Sequence, residues 1–97
     1  MDDNDFDLLR RAFAQTLREL RGRLRPPRSK KFDKYSQEQL ALEMEMDRSY
    51  LSALERGEHN PTLKTLWRLR SVLHMSAAQL VREIEKKYDK ARLNRKN

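Results

Sequence analysis

Apolar residues recur at three- or four-residue steps along most of this 97-residue chain, and this spacing limits its fold more than any other feature. Val and Ile are rare, and no segment alternates apolar and polar residues over the length of a strand. A helix with this spacing has one apolar stripe, which must be buried against another helix. The sequence therefore predicts an all-α fold, with residues 1–97 forming a single domain of five helices.

Caps and breakers set the expected ends of these helices. The predicted helices cover about 5–23, 36–45, 47–56, 62–73 and 76–91. The expected N-caps are Ser36, Asp47, Thr62 and Ser76, and Gly57 is the expected residue after the third helix. Gln39 and Gln79 each lie three residues after a Ser, which predicts two capping boxes.

Two segments are expected to lie outside the helical core. Residues 25–35 contain Pro26-Pro27, which stops a helix, and carry five basic side chains. They form either a solvated connection or a basic loop that contacts phosphate. Residues 92–97 are polar and basic, and we expect them to form a flexible tail.

The amino-acid composition limits the class of binding partner and indicates the cellular compartment. The net charge of +7 favours a polyanionic partner, either nucleic acid or an acidic membrane surface, although charge also serves solubility alone. Cys is absent, which excludes disulfides and suits a reducing cytoplasm. The acidic start of the chain is unlike a secretory signal, and no apolar run approaches the ~20 residues of a membrane span. We therefore expect a cytoplasmic location.

No set of residues predicts catalysis. The carboxylates are mostly interleaved with Lys and Arg, as on solvated helix surfaces, and there is no Gly-rich phosphate loop or nucleophile elbow. The two His residues lack the paired spacing of a metal site. The sequence predicts a protein that is not an enzyme and that needs no metal or cofactor.

The second and third helices, 36–45 and 47–56, meet at a joint so short that it forces a sharp angle between them. Leu51 and Leu54 face inward on the third helix. Small or hydrogen-bonding residues are expected on its outer face, namely Arg48, Ser49, Ser52 and Ala53. Such a face suits a helix pressed into a DNA major groove, where Arg reads guanine, Ser bonds to base edges and Ala contacts a thymine methyl.

Four runs of residues resemble the Cro and phage-repressor family of helix-turn-helix regulators, also called XRE-like regulators. These runs are 36–41 (SQEQLA), 47–52 (DRSYLS), 54–57 (LERG) and 60–63 (NPTL). The resemblance covers about residues 17–80, with the two-helix motif at 36–55. Within it, residues 47–62 are most similar to controller proteins of restriction–modification systems.

The resemblance implies double-stranded DNA as the partner and 47–56 as the recognition helix. It implies that Arg48, Ser49 and Ser52 face bases. It implies DNA-backbone contacts by Gln37, Tyr50 and Asn60. It also implies an ion pair between Arg21 and Glu55.

Further expectations concern residues around the motif. His59, in the loop after the recognition helix, either approaches a phosphate or is simply solvated. Trp67, Ile84 and Tyr88 are candidate dimer contacts, with packing inside one subunit as the alternative. The chain departs from the family at the long 25–35 loop, at Glu45, where the joint usually has Gly, and at Arg70, where a small residue is common.

We therefore hypothesise a sequence-specific transcriptional regulator that binds a near-palindromic site as a homodimer. One alternative is an antitoxin of the same fold, which would bind a toxin protein through an exposed apolar patch. The other is a helical adaptor that does not read bases.

Overall fold

The computed structural model describes residues 2–24 and 35–96, apart from the side chain of residue 96. Within these ranges every regular element is a helix, as the apolar spacing predicts. The five helices are α1 (Asp3–Arg23), α2 (Gln37–Glu43), α3 (Arg48–Glu55), α4 (Leu63–Leu73) and α5 (Ala77–Lys96). The basic loop predicted at 25–35 lies outside the described residues except for Tyr35.

The two long helices, α1 and α5, pack against each other with opposite directions. Arg95, near the end of α5, donates to Asp5 at the start of α1 over 3.0 Å. Lys87 lies 2.9 Å from Glu19, near the other end of α1. This pairing makes α1 and α5 a frame on which the shorter helices are assembled.

The core lies between this frame and the three shorter helices. Phe13 and Leu17 of α1 are at most 2% exposed, and burying side chains of this size contributes about 1.5–3 kcal/mol each. The other fully buried large side chains come from every remaining helix or its cap, namely Leu40, Met44, Leu51, Leu54, Leu69 and Leu80. Tyr35, at the end of the predicted loop, is also buried and its hydroxyl donates to Glu43.

Three helices end in left-handed residues, which turn the chain sharply. Glu45, Gly57 and His74 have φ of 55°, 76° and 56°. After α2 the amide of Glu45 donates to the Leu42 carbonyl and that of Met46 to the Ala41 carbonyl. This is the bond pattern of the Schellman motif, which satisfies the last carbonyls of a helix.

The predicted caps are found at their expected positions, with differences in bonding. The Ser36 and Thr62 hydroxyls accept from the amides three residues later. The capping box predicted at Ser36 is only half formed, because the Gln39 side chain makes no bond back to the Ser36 amide. Ser76 and Gln79 form the reciprocal bonds of a capping box. Asp47 precedes α3 as expected, but its side chain makes no capping bond.

The helix ends differ from the sequence expectations in three places. Helix α1 begins at Asp3, two residues before its expected start, because Asp2 is its N-cap and forms a capping box with Asp5. Helix α2 ends at Glu43, two residues early, because the Schellman turn begins there. Helix α5 continues to Lys96, whereas residues 92–97 were expected to be a tail. Ion pairs from Arg92 and Arg95 to Asp5 hold this last part of α5 against α1, which local sequence does not reveal.

None of the described helices is long and apolar enough to cross a membrane. The described ranges also contain no group of three or more His, Cys, Asp or Glu side chains placed to hold a metal ion.

Candidate nucleic-acid interface

Helices α2 and α3 form a compact pair joined by residues 44–47. Ala41 on α2 is buried, and its small side chain lets the two helices approach closely. Leu51 and Leu54 anchor the inner face of α3 with no exposed surface. The left-handed Glu45 makes the sharp joint, so the residue that replaces the usual Gly adopts the conformation that Gly favours.

The outer face of α3 is polar. Arg48 and Ser49 are exposed and Ser52 is half-buried. Together with Gln37 at the start of α2 and Arg56 just after α3, they line one open groove. These side chains offer guanidinium, hydroxyl and amide groups, which are the groups that bond to base edges and phosphates.

The expectation that Ala53 lies on this outer face is wrong. Ala53 is only 6% exposed. At about 100° per residue it lies roughly 40° past Ser49, at the boundary with the buried face. Its single methyl group is too short to extend from that boundary, so it is not available to contact a base.

A buried carboxylate ties α3 to the rest of the domain. Glu55 is 3% exposed and accepts from Arg21 through two bonds, Nε to Oε2 at 2.6 Å and Nη2 to Oε1 at 3.0 Å. The amide nitrogen of Gln37 donates to Glu55 Oε1 over 2.8 Å. The ion pair implied by the family resemblance is therefore present in the structure, and it also fixes the first residue of α2.

Arginines from other helices hold the backbone around the motif. Arg18 donates to the carbonyl of Glu55, at the negative end of α3. Arg21 donates to the Tyr35 carbonyl over 2.8 Å, and Arg68 to the Glu45 carbonyl over 3.2 Å. These contacts span large sequence separations, and sequence reasoning missed all three.

Comparisons with known proteins agree with this geometry. Residues 33–80 match a family model described as helix-turn-helix. A curated relative, Control protein C.MunI from Mycoplasma sp, is 34% identical over 64 residues, which cover 66% of this chain and 85% of the relative. The chain belongs to the helix-turn-helix family of XRE type. It is a DNA-binding transcriptional regulator. No solved structure matches the chain significantly.

In this helix-turn-helix protein the loop after α3 folds back along the motif. The rings of Tyr50 and His59 are stacked, with centroids 5.9 Å apart and planes 21° from parallel. Tyr50 is half-buried against the core, while His59 and Asn60 are exposed. Of the four residues expected to contact the DNA backbone, Gln37 therefore lies at the start of α2. The other three lie on α3 or in the loop that follows it.

Arg56 is a polar residue of this face that the sequence reasoning missed. It lies four residues after Ser52 and eight after Arg48, so helical spacing alone places it on the same face. Its guanidinium donates to Glu58 and to the Ser52 hydroxyl. The bond to Arg56 lowers the pKa of the Glu58 carboxyl below its ordinary value of 4.5.

The three candidate dimer contacts have different environments. Ile84 is 7% exposed and belongs to the core between α1 and α5, so its assignment as a dimer contact is wrong. Tyr88 is half-buried against the same core. Trp67 is 51% exposed on α4, one turn after the exposed Leu63, and the guanidinium of Arg70 lies 5.8 Å from its ring.

Proposed function

We propose that this protein binds specific double-stranded DNA sites as a homodimer, with α3 as the recognition helix in the major groove. Arg48, Ser49 and Ser52 contact base edges. Gln37, Tyr50, His59 and Asn60 contact the DNA backbone. Control of transcription then follows from the position of the site relative to a promoter.

The observation that best supports this proposal is that α3 has a buried, fixed inner face and an exposed, polar outer face. Its inner face is fixed by Leu51, Leu54 and the buried Glu55, while Arg48 and Ser49 are free to face a ligand. A recognition helix needs both properties, because base readout requires side chains held within a few tenths of an ångström of the base edges. Arg48 lies in the first turn of α3, where helix-turn-helix proteins contact bases.

Backbone contacts at the start of α2 are supported by Gln37. Its amide group has two hydrogens, and the bond to Glu55 uses one of them. The second hydrogen is available to a phosphate oxygen. The same bond to Glu55 orients the amide, so a phosphate held by Gln37 would be in fixed register with α3.

Homodimer formation is supported by the exposed apolar face of α4. Leu63 and Trp67 are 73% and 51% exposed and lie one turn apart, so they form a patch on one side of the helix. In a two-fold dimer the recognition helices would enter successive major grooves about 34 Å apart. The net charge of +7 supplies affinity that is independent of sequence.

We further propose that the regulated genes belong to a restriction–modification system. The support is the relative named Control protein C.MunI, which matches most of its length to this chain. Selection on genomic fragments from the source organism tests this proposal. Retained fragments should lie upstream of an endonuclease or methyltransferase gene, and retention of unrelated promoters only would contradict it.

The experiment that tests the proposed function is selection from a random pool of double-stranded DNA at near-physiological salt. We expect enrichment of a two-fold-symmetric motif with half-sites about one helical turn apart. A single unsymmetric motif would contradict the dimer. Absence of any motif, with binding lost steeply as salt rises, would contradict sequence reading and favour the antitoxin or adaptor hypotheses.

A further inference from the structure

Arg56 and Glu58 form a bidentate pair beside the proposed base-reading side chains. Both the Nε and Nη2 nitrogens of Arg56 donate to the Glu58 carboxylate, the second over 3.3 Å. The remaining nitrogen, Nη1, donates to the hydroxyl of Ser52. Each of the three nitrogens of this guanidinium therefore makes one bond within the free protein, which leaves one hydrogen on each terminal nitrogen.

The position of Glu58 is fixed by the backbone. Gly57 is left-handed, with φ of 76°, and the amide of Glu58 donates to the Ala53 carbonyl over 3.0 Å. This is the Schellman bond that ends α3. The same turn that ends the recognition helix therefore places the backbone of Glu58 where its side chain can reach the Arg56 guanidinium.

The pair contributes little to folding, because both side chains are more than half exposed. Its effect is on the charge of the groove. Glu58 neutralises a guanidinium that lines the groove with Gln37, Arg48, Ser49 and Ser52. The Glu58 carboxylate is ionised near neutral pH even at the ordinary glutamate pKa, and the bond to Arg56 lowers that pKa further.

From these contacts we infer that Arg56 is a further DNA-backbone contact and that Glu58 is its internal counterion, which competes with a DNA phosphate for the guanidinium. This inference rests on the proposed binding of DNA by α3, and it adds a side chain, Glu58, that weakens this binding. Glu58 weakens binding to all sequences alike, because its negative charge beside the groove is repelled by the DNA phosphates. The preference for one DNA sequence over another then depends more on the base contacts of Arg48, Ser49 and Ser52.

Competition between Glu58 and a DNA phosphate for Arg56 alters the salt dependence of binding. Each phosphate neutralised by a protein cation adds about 0.9 to the slope of log affinity against log salt. In the natural protein the exchange of Glu58 for phosphate cancels this gain at Arg56. Without Glu58 the guanidinium is free to neutralise one more phosphate.

The test measures binding to a mixed-sequence duplex across about 50 to 200 mM salt, using the natural protein, E58Q, R56Q and the double variant. We expect E58Q to bind several-fold more tightly at the lowest salt, with a slope steeper by about 0.9, which is roughly threefold more loss of affinity over this range. In the R56Q background the same change should have no such effect. E85Q, which removes a charge from an exposed position on α5, is the matched control.

An E58Q effect equal to that of E85Q, or one that persists when Arg56 is absent, would overturn the inference. Melting temperatures of all variants establish that each is folded. A mixed-sequence duplex does not require base reading, so this outcome is separate from that of the random-pool selection. Absence of DNA binding by every folded variant would overturn both proposals.

Discussion

Arg21 and Glu55 are joined by two bonds of 2.6 and 3.0 Å, although 34 residues separate them in the chain. Glu55 is buried, and Arg21 is 22% exposed at its side chain. A buried pair of this kind is costly to break, because the partner that remains is a charge without compensation. The pair therefore couples the stability of the domain to the position of α3.

We expect E55Q to lower the free energy of unfolding by about 3 kcal/mol, because it leaves the guanidinium of Arg21 without its counter-charge. Urea unfolding measures the change, with the exposed E85Q as control, which should lie within about 0.5 kcal/mol of the natural protein. The double variant R21M/E55L should cost less than the sum of its single changes. Equal stability of E55Q and E85Q would show that the pair is not structurally important.

The joint between α2 and α3 offers a stabilising substitution. Glu45 has φ of 55°, which costs an L-residue roughly 1–2 kcal/mol, while Gly adds freedom to the unfolded chain. We therefore expect E45G to raise the free energy of unfolding by about 0.5–1 kcal/mol. R82G, within α5, should lower it by about 1 kcal/mol. Loss of stability in E45G would mean that the Glu45 side chain has a stabilising role that outweighs its backbone conformation.

Acid should weaken the link between α1 and α5. The amide of Asp2 donates to Asp5 and lowers the pKa of its carboxyl below the ordinary 3.8, with further lowering by Arg95 and Arg92 and an opposing effect of burial. For a carboxyl with a lowered folded pKa, the stabilisation is complete above the unfolded pKa and is lost as pH falls through the folded pKa.

The measurement is the difference in melting temperature between the natural protein and D5N from pH 7 downward. This difference removes the effects of the other carboxyls. The natural protein should melt higher at pH 7, and its advantage should shrink progressively below about pH 4. An advantage that is constant with pH, or absent at pH 7, would contradict the role of Asp5.

Trp67 is the sole tryptophan of the chain and so reports on the proposed dimer face. We expect its emission to shift to shorter wavelength as protein concentration rises, because association would bury the ring. W67A should weaken dimerisation by about 2 kcal/mol, measured by sedimentation equilibrium. F6A removes another half-exposed aromatic residue, on α1, and should leave the dimer intact. Unchanged association of W67A would exclude α4 as the interface.

Local patterns predicted most of the fold. The helices follow from apolar spacing and caps, since these depend on residues within a few positions of one another. The errors occur where distant contacts decide the structure. Ion pairs to Asp5 extend α5 beyond its apolar stripe, and Ile84 is buried because α1 lies against it.

In the candidate site, too, local spacing predicted some residues correctly, while others depend on the three-dimensional structure. Arg48, Ser49 and Ser52 share a face by helical spacing, and Arg56 was within reach of that argument. Ala53 was misplaced because a boundary position has no clear side on a helical wheel. The ion pair between Arg56 and Glu58 depends on the turn at Gly57, and only the three-dimensional structure reveals this turn.

The central claim is that α3 reads bases through Arg48, and selection from a random DNA pool tests it when the natural protein, R48A and R82A are run in parallel. Arg82 is exposed on α5, so R82A removes the same charge from a helix outside the motif. We predict that R48A loses preference at one base position in each half-site, while its salt dependence changes little and R82A keeps the complete motif. An unchanged motif in R48A would contradict the claim.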